Sequence, residues 1–171
     1  FRYNMLIARL EPENNIETIL EGVSQMEHPL PFLVIGKHDT KFGNYLKQRF
    51  SETSEIRFLG GIYNLAHLNN LRYYSNLYFH GHSAGGTNPS LLEAMASEAL
   101  IVAHENIFNK SILGEDAFYF RDAEEIKAAL LLKKQDFGDM IKNNKAKIAH
   151  RFSSDGINGQ YEKLMKECLE R

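Results

Sequence analysis

The residues best suited to binding chemistry lie between 78 and 98, where a short apolar run ends in a glycine-rich loop that leads into a helix. The loop contains Gly85, Gly86 and Thr87, and Asn88 follows in the position of a helix N-cap, directly before a proline. A strand, such a loop and a helix N-terminus in succession direct backbone N–H groups and the positive end of the helix dipole at one place. This arrangement suits an anion, and a phosphate group in particular.

The first turns of this helix add candidates for contacts with a nucleotide. The backbone N–H groups of Ser90 and Leu91 are predicted to be available to a phosphate at the helix N-terminus. Glu93 shares a polar stripe with Ser90, and a carboxylate there can accept hydrogen bonds from two ribose hydroxyls. The spacing alone slightly favours the alternative, a solvated glutamate stabilised by the helix dipole. The packing face of the helix is predicted to consist of Leu91, Leu92, Met95 and Ala96.

Two further groups of polar side chains are predicted near the loop. Arg9 follows the first predicted strand and could donate charge-assisted hydrogen bonds to phosphate oxygens. As a single arginine, it could equally pair with Glu11 or Glu13. His80 and His82 lie at the mouth of the same cleft, but no third ligand with suitable spacing follows. Hydrogen bonding or packing is therefore favoured over metal binding for both histidines.

Short apolar strands alternate with amphipathic helices along the chain. Strands are predicted at 3–8, 32–35, 56–59, 77–79, 100–103 and 117–120. Helices are predicted between them, except at 104–112, where a polar crossover is expected, and two more helices at about 137–150 and 157–169 close the chain. An Asn at 14 or 15 is expected to cap the first helix.

This alternation predicts an α/β fold, a doubly wound parallel sheet of about six strands with helices on both faces. Parallel strands need helical crossovers, and helices then cover both sides of the sheet. Ligands in such folds bind outside the carboxyl ends of the strands. Arg9, Gly60 and the loop at 80–88 are therefore expected to share one rim.

The composition limits the architecture and the partners. A chain of 171 residues, 43% of them apolar and 25% charged, is expected to form a single domain over 1–171. A net charge of −2 gives no strong signal for binding nucleic acid. The lone Cys168 excludes a disulfide framework and fits a reducing cytoplasm. No apolar run approaches the roughly 20 residues that span a bilayer.

Together these motifs resemble those of a known family. Arg9, the Gly85-Gly86 pair and the run Asn-Pro-Ser-Leu-Leu-Glu-Ala-Met-Ala from Asn88 resemble the C-terminal, donor-binding half of retaining GT-B glycosyltransferases of family four. The resemblance covers essentially the whole chain and implies a Rossmann-like domain whose N-terminal, acceptor-binding partner domain is absent. The longer run from His80 is similar to a bacterial branch, the rhamnosyltransferase-like enzymes of capsule and O-antigen assembly, which implies dTDP-L-rhamnose as the donor.

The resemblance also implies roles for individual residues. Glu93 would contact the donor ribose and Arg9 the diphosphate, while Asn14 stands where the family has a lysine and Gly85 where it has a glutamate. Arg9 is the implied catalytic residue, because its charge would offset the charge that develops on the leaving diphosphate, with no cofactor or metal required. The complete predicted donor site comprises Arg9, Asn14, Gly60, His82, Gly85, Gly86, Thr87, Asn88, Ser90, Leu91 and Glu93.

The implied activity is retaining transfer of a hexosyl group, rhamnosyl in the specific case, from a nucleotide diphosphate sugar to a glycan or lipid-linked acceptor in surface polysaccharide synthesis. The acceptor would need the absent domain, so the chain alone is expected to be inactive. A cytoplasmic location is expected, and peripheral association with the inner face of the cell membrane stays open for the full-length protein. The alternatives are a non-catalytic nucleotide- or sugar-phosphate-binding module and, less favoured, a receiver-like signalling domain.

Overall fold

The computed structural model describes residues 2–152 and 154–169, so both ends of the predicted domain, at Phe1 and at 170–171, lie outside the described residues. The strands of the described part form one parallel sheet in the order β3-β2-β1-β4-β5-β6. They are β1 (Asn4–Ile7), β2 (Phe32–Ile35), β3 (Ile56–Gly60), β4 (Tyr78–His80), β5 (Ile101–His104) and β6 (Phe118–Phe120). The predicted doubly wound α/β fold is confirmed.

Helices connect the strands and close the chain. They are α1 (Ile16–Ser24), α2 (Lys41–Arg49), α3 (Leu65–Tyr74), α4 (Pro89–Ala96), α5 (Ile107–Leu113), α6 (Ala123–Leu130), α7 (Gly138–Arg151) and α8 (Ser154–Leu169). Short 3₁₀ turns occupy Pro12–Asn14 and Lys134–Asp136. Among the described helices, none has the length and apolar character that a membrane crossing requires.

Helix α5 corrects the prediction of a polar crossover at 104–112. The Asn106 side chain accepts a hydrogen bond from the backbone N–H of Asn109 and so caps the helix. Ile112 and Leu113 are buried, but Ile107 is exposed at the start of the helix. Because the apolar residues do not all lie on one face, the amphipathic period that marks a helix is missing from the sequence.

The core lies on both faces of the sheet, which explains the continuously apolar strands. Neighbouring residues of β1 point to opposite sides, so Leu6 packs with Phe32 and Phe79 under α1, α2 and α6. Met5 packs on the other side, with residues of α4 and α5. Every strand between the edges is therefore covered by helices on both faces.

Helix α4 has the predicted cap but a slightly different packing face. Leu91, Ala94 and Met95 are buried, whereas Leu92 is only partly buried and Ala96 is exposed. The expectation that Ala96 packs was wrong, because the buried face is centred on the i, i+3 and i+4 set that begins at Leu91. The helix N-terminus is thereby fixed against the sheet beside the end of β4.

Candidate functional site

A cavity of about 260 Å³ opens where β1 and β4 end. These strands are neighbours in the sheet, and the strand order reverses between them. Ligands of open parallel sheets bind at such a switch point, outside the carboxyl ends of the strands. The apolar lining includes Leu6, Ile7, Ile16, Ile19 and Phe79. The polar lining consists of Arg9, Asn14, His80, His82, Asn88 and Ser90.

A second cavity, of about 460 Å³, lies at the opposite edge of the sheet and is lined by residues such as Asn4, Asn76 and Lys134. Asn4 begins β1 and Asn76 precedes β4, so this cavity faces the amino ends of the strands. Although it is the larger of the two, the position of the first cavity at the switch point makes that cavity the candidate site.

The structure brings together about half of the predicted donor-binding residues. Those that line the switch-point cavity are Arg9, Asn14, His82, Asn88 and Ser90. Those that do not are Gly60, Gly85, Gly86, Thr87, Leu91 and Glu93. The side chain of Leu91 is fully buried in the core and cannot contact a ligand. A Cβ placed on Gly85 or Gly86 would meet nothing within 4 Å, so neither glycine is needed for space, although the φ of +83° at Gly85 favours glycine.

Arg9 extends from the end of β1 at this cavity. Its side chain is exposed, and the alternative pairing with Glu11 or Glu13 is not found in the described part of the chain. Its backbone carbonyl accepts a hydrogen bond of 2.7 Å from Nδ2 of Asn14. The backbone at Arg9 is therefore held in place while the guanidinium stays available to an anion.

Asn14 and Asn15 connect the turn before α1 to the loop after β4. Oδ1 of Asn14 lies 3.0 Å from Nδ1 of His82, and Nδ2 of Asn15 donates to the carbonyl of Gly81 at 2.7 Å. A Cβ on Gly81 would lie 1.9 Å from the carbonyl oxygen of Asn14, so the two segments are in close contact. Asn15 is the N-cap residue of α1, which confirms the prediction that one of the two asparagines caps this helix, but its side chain makes no capping hydrogen bond and binds to the loop after β4 instead.

Two asparagines from α5 and its cap hold the other side of the same loop. Asn106 and Asn109 each donate from Nδ2 to the carbonyl of His82, at 3.1 Å. Asn109, which is buried, also donates to the carbonyl of His104 at 2.8 Å. Sequence reasoning missed both residues, and the only signal for them was their position in the segment that follows a predicted strand.

Of the two histidines of the cavity, His80 is packed in the interior and His82 is hydrogen-bonded to Asn14. Burial, and to a smaller extent the nearby His82, lower the pKa of His80 to about 3, so the ring of His80 is neutral. Nε2 of His80 is buried and has no hydrogen-bond partner among the described residues. No group of three His, Cys, Asp or Glu side chains in the described ranges is placed to hold a metal ion.

The N-terminus of α4 differs from the prediction in its hydrogen bonding. Oδ1 of Asn88 accepts from the backbone N–H of Ser90 at 2.9 Å, and the Asn88 carbonyl accepts from that of Leu91 at 3.0 Å. The two N–H groups expected to be available are therefore used inside the helix. In contrast, the backbone N–H groups of Gly86 and Thr87 have no hydrogen-bond partner within the described ranges. The donors available to a phosphate lie in the loop rather than in the helix.

A buried arginine behind α4 was missed by sequence reasoning. The side chain of Arg72, in the last turn of α3, is only 1% exposed. Its Nη2 donates to Oε2 of Glu93 at 2.5 Å, and its Nη1 donates to Oδ1 of Asn69 at 3.0 Å. Glu93 is 43% exposed, so it is neither a free solvated glutamate nor a buried one. The sequence gives no direct signal for this pair, because the two residues are 21 positions apart.

The same network reaches the cavity through Ser90 and Tyr78. The hydroxyl of Tyr78 lies 2.8 Å from Oγ of Ser90, which lines the cavity. The guanidinium of Arg72 lies over the Tyr78 ring, 6.0 Å from its centroid. Burial raises the pKa of Tyr78, and the charge of Arg72 opposes this shift. The Tyr78 hydroxyl is therefore a neutral group that fixes the side chain of Ser90.

Comparisons with known proteins add information on family and fold. A family model described as glycosyl transferases group 1 matches residues 2–133. No curated protein matches the chain. Among solved structures, HepE from Anabaena in complex with UDP and glucose aligns with a TM-score of 0.83 at 17% identity, over 97% of this chain and 48% of that one.

Two other solved structures share the fold. Sucrose-phosphate synthase from Thermosynechococcus elongatus aligns with a TM-score of 0.80 at 17% identity, over 98% of this chain and 45% of that one. The C-terminal domain of LpcC, a group 1 family glycosyl transferase from Francisella tularensis, aligns with a TM-score of 0.73 at 18% identity, over 89% and 87% of the two chains. The chain thus spans about half the length of HepE and of the synthase, and nearly the whole of the single LpcC domain.

Proposed function

Because the chain belongs to the group 1 glycosyl transferases, we propose that it binds a nucleotide diphosphate sugar and presents it for transfer to an acceptor. The observation that carries this proposal is an exposed cation at the switch-point cavity, together with backbone N–H donors in the loop that joins two cavity residues, His82 and Asn88. Arg9 provides an exposed cation that is free of ion pairs among the described residues, and the loop before α4 provides N–H groups without partners. Both kinds of group bind diphosphate oxygens.

The proposed chemistry is stabilisation of the leaving group. When the bond between the sugar and the diphosphate breaks, negative charge develops on the diphosphate oxygen. The guanidinium of Arg9 and the positive end of α4 offset that charge, so the proposal needs neither a metal nor a cofactor. The anomeric carbon then bonds to the oxygen of an acceptor hydroxyl, whose proton passes to the departing diphosphate. The configuration is retained, a stereochemical outcome taken from the resemblance to family four.

We propose dTDP-L-rhamnose as the donor, with a uridine nucleotide as the alternative. The support for rhamnose is the run from His80 and the two positions where charge is missing, Gly85 and Asn14. In addition, the amide of Asn14 is engaged by Arg9 and His82, so it cannot replace a lysine in gripping a phosphate. The support for uridine is the UDP bound to HepE.

The acceptor is proposed to be a glycan or a lipid-linked glycan of surface polysaccharide synthesis. It would bind to the half of the GT-B fold that this chain does not cover, in the cytoplasm or at the inner face of the membrane. The chain alone would then bind nucleotide without turnover. A non-catalytic nucleotide-binding module remains the second candidate, because Asn14 stands where the family has a lysine and Arg9 is the one Lys or Arg side chain among the described residues that line the cavity.

The experiment is a calorimetric titration of the chain with dTDP, UDP and GDP. At least one of them is expected to bind, and Arg9→Gln is expected to weaken its binding about tenfold, since a charge-assisted hydrogen bond contributes on that scale. Arg57→Gln is the matched control, because Arg57 is exposed and does not line the cavity. No binding of any of the three at millimolar concentration would overturn both candidates. Activity of the full-length protein with dTDP-rhamnose and a glycolipid acceptor separates a transferase from a module.

A further inference from the structure

The burial of Arg72 is not explained by stability alone. Arginine is rarely buried this completely, and removing its charge from water has a large cost that an ion pair only partly offsets. An apolar residue of similar volume would stabilise such a position at least as well. The burial of the guanidinium therefore needs another reason, and two of its contacts, with Ser90 and Glu93, lead to one short stretch of α4.

Glu93 is held by Arg72 on one side and faces solvent on the other. Its Oε2 accepts from Nη2 of Arg72, while Oε1 has no partner in the described part of the chain. A carboxylate has about four acceptor positions, so the pairing with Arg72 leaves room for further donors. A side chain that is 43% exposed can reach a ligand from this position. Its orientation is fixed before any ligand arrives.

The same guanidinium connects Glu93 to the cavity. Nη2 of Arg72 also lies 3.5 Å from Oγ of Ser90, which lines the cavity and is one helical turn before Glu93. Nη1 is fixed by Asn69, and the Tyr78 ring packs against the guanidinium face. Because its position is determined on three sides, the guanidinium acts as a rigid support for both side chains of the α4 polar stripe.

We infer that Arg72 is a positioning residue. It holds the Glu93 carboxylate ready to accept hydrogen bonds from the ring hydroxyls of the donor's ribose or deoxyribose, an inference that rests on the proposed function. Without Arg72, Glu93 would sample several rotamers in solvent and would have to be ordered on binding. Ordering one flexible side chain weakens binding about fivefold. The loss concerns only ligands that present these hydroxyls, since the diphosphate is bound elsewhere, by Arg9 and the loop.

The test compares hydroxylated and hydroxyl-free ligands. UDP and dTDP, each beside its 2′,3′-dideoxy analogue, and inorganic pyrophosphate are titrated into the wild-type chain, Arg72→Met and Glu93→Gln. Arg72→Met is expected to weaken binding of the hydroxylated nucleotide about fivefold and to leave the dideoxy analogue and pyrophosphate unchanged. In the Glu93→Gln background, Arg72→Met should add no further loss, because both changes remove the same interaction.

Two further variants keep the result interpretable. Arg49→Met removes an arginine that pairs with Glu17 and Glu21, none of which lines the cavity, so it should change no affinity. Arg72→Lys keeps the charge without the forked geometry of the guanidinium, so it should give an intermediate loss of affinity for the hydroxylated nucleotide. If Arg72→Met does not fold, the same comparison of ligands is made with Arg72→Lys.

Three other results of these titrations would overturn the positioning role of Arg72. Equal losses for hydroxylated and dideoxy ligands would mean that Arg72 is only structural and would overturn the inference. Unchanged or tighter binding would overturn it as well, and tighter binding would mean that Arg72 holds Glu93 away from the ligand. If the wild-type chain binds no nucleotide, the proposed function fails and the inference fails with it. That result differs from a chain that binds nucleotide but ignores the change at Arg72.

Discussion

Replacing Glu93 with alanine should destabilise the fold, although Glu93 lies on a partly exposed face of α4. The change leaves the guanidinium of Arg72, which is 1% exposed, without its counter-charge. Breaking a fully buried pair costs about 3–5 kcal/mol, and a hydrogen bond to a charged group contributes about 1.5–3 kcal/mol. Because Glu93 is 43% exposed and water can enter the space it leaves, we expect the lower range, about 2 kcal/mol.

Urea denaturation of the chain measures this loss directly. With a slope of about 2 kcal/mol per molar urea, the midpoint should fall by about 1 M. Glu124→Ala is the matched control: Glu124 is 75% exposed and pairs with Lys127 on the surface, so its loss should cost less than about 1 kcal/mol.

A second substitution tests the physical cause. Arg72→Met in the Glu93→Ala background removes the lone buried charge, so the double variant should be more stable than Glu93→Ala alone. The reasoning is refuted if Glu93→Ala costs no more than Glu124→Ala, or if the two losses at Arg72 and Glu93 simply add. In either case the ion pair would not be the interaction that holds this part of α4.

Three further perturbations test other parts of the structure. Gly81→Ala should destabilise the chain by about 1–3 kcal/mol in urea and weaken nucleotide binding, because the new Cβ would lie 1.9 Å from the carbonyl oxygen of Asn14; unchanged stability would contradict this packing. Met95→Asp should abolish cooperative thermal unfolding, since Met95 is 0% exposed, and a folded variant would refute its place in the core. The pKa of His80 is lowered to about 3, so below pH 6.5 the unfolded chain binds a proton that the folded chain does not, and stability falls with falling pH. Between pH 7 and pH 5, the free energy of unfolding of the His80→Phe variant should therefore fall by about 2 kcal/mol less than that of the wild type. Identical pH profiles of stability would show that His80 is not buried in its neutral form.

The sequence was sufficient for the fold because the fold depends on local patterns. Short apolar strands between amphipathic helices predicted the parallel sheet, and Asn88 before a proline predicted the start of α4, since a cap acts on its own helix. Helix α5 was missed because Ile107 is exposed, and this breaks the apolar periodicity. Local patterns thus identify a helix only when its apolar residues lie on a single face.

The site was predicted less completely because its side chains form hydrogen bonds with residues that are far away in the sequence. Arg9 and Ser90 both line the cavity, since Arg9 follows the carboxyl end of β1 and Ser90 lies in the first turn of α4, which the loop after β4 leads into. Arg72 was missed because its partner Glu93 is 21 positions away, and the support of the His82 carbonyl by Asn109 spans 27 positions. Such pairs are decided by how helices pack on the sheet, which no local pattern records.

The position of the bound nucleotide on the chain tests most directly whether the switch-point cavity is the donor site. Backbone amide signals of the isotope-labelled chain are followed by NMR during titration with dTDP and UDP. Binding at the switch point predicts that the signals of Arg9, Gly86 and Thr87 shift, while those of Lys134 and Gln135 at the opposite cavity stay unchanged. Shifts confined to the opposite cavity, or no shifts with either nucleotide, would contradict the account.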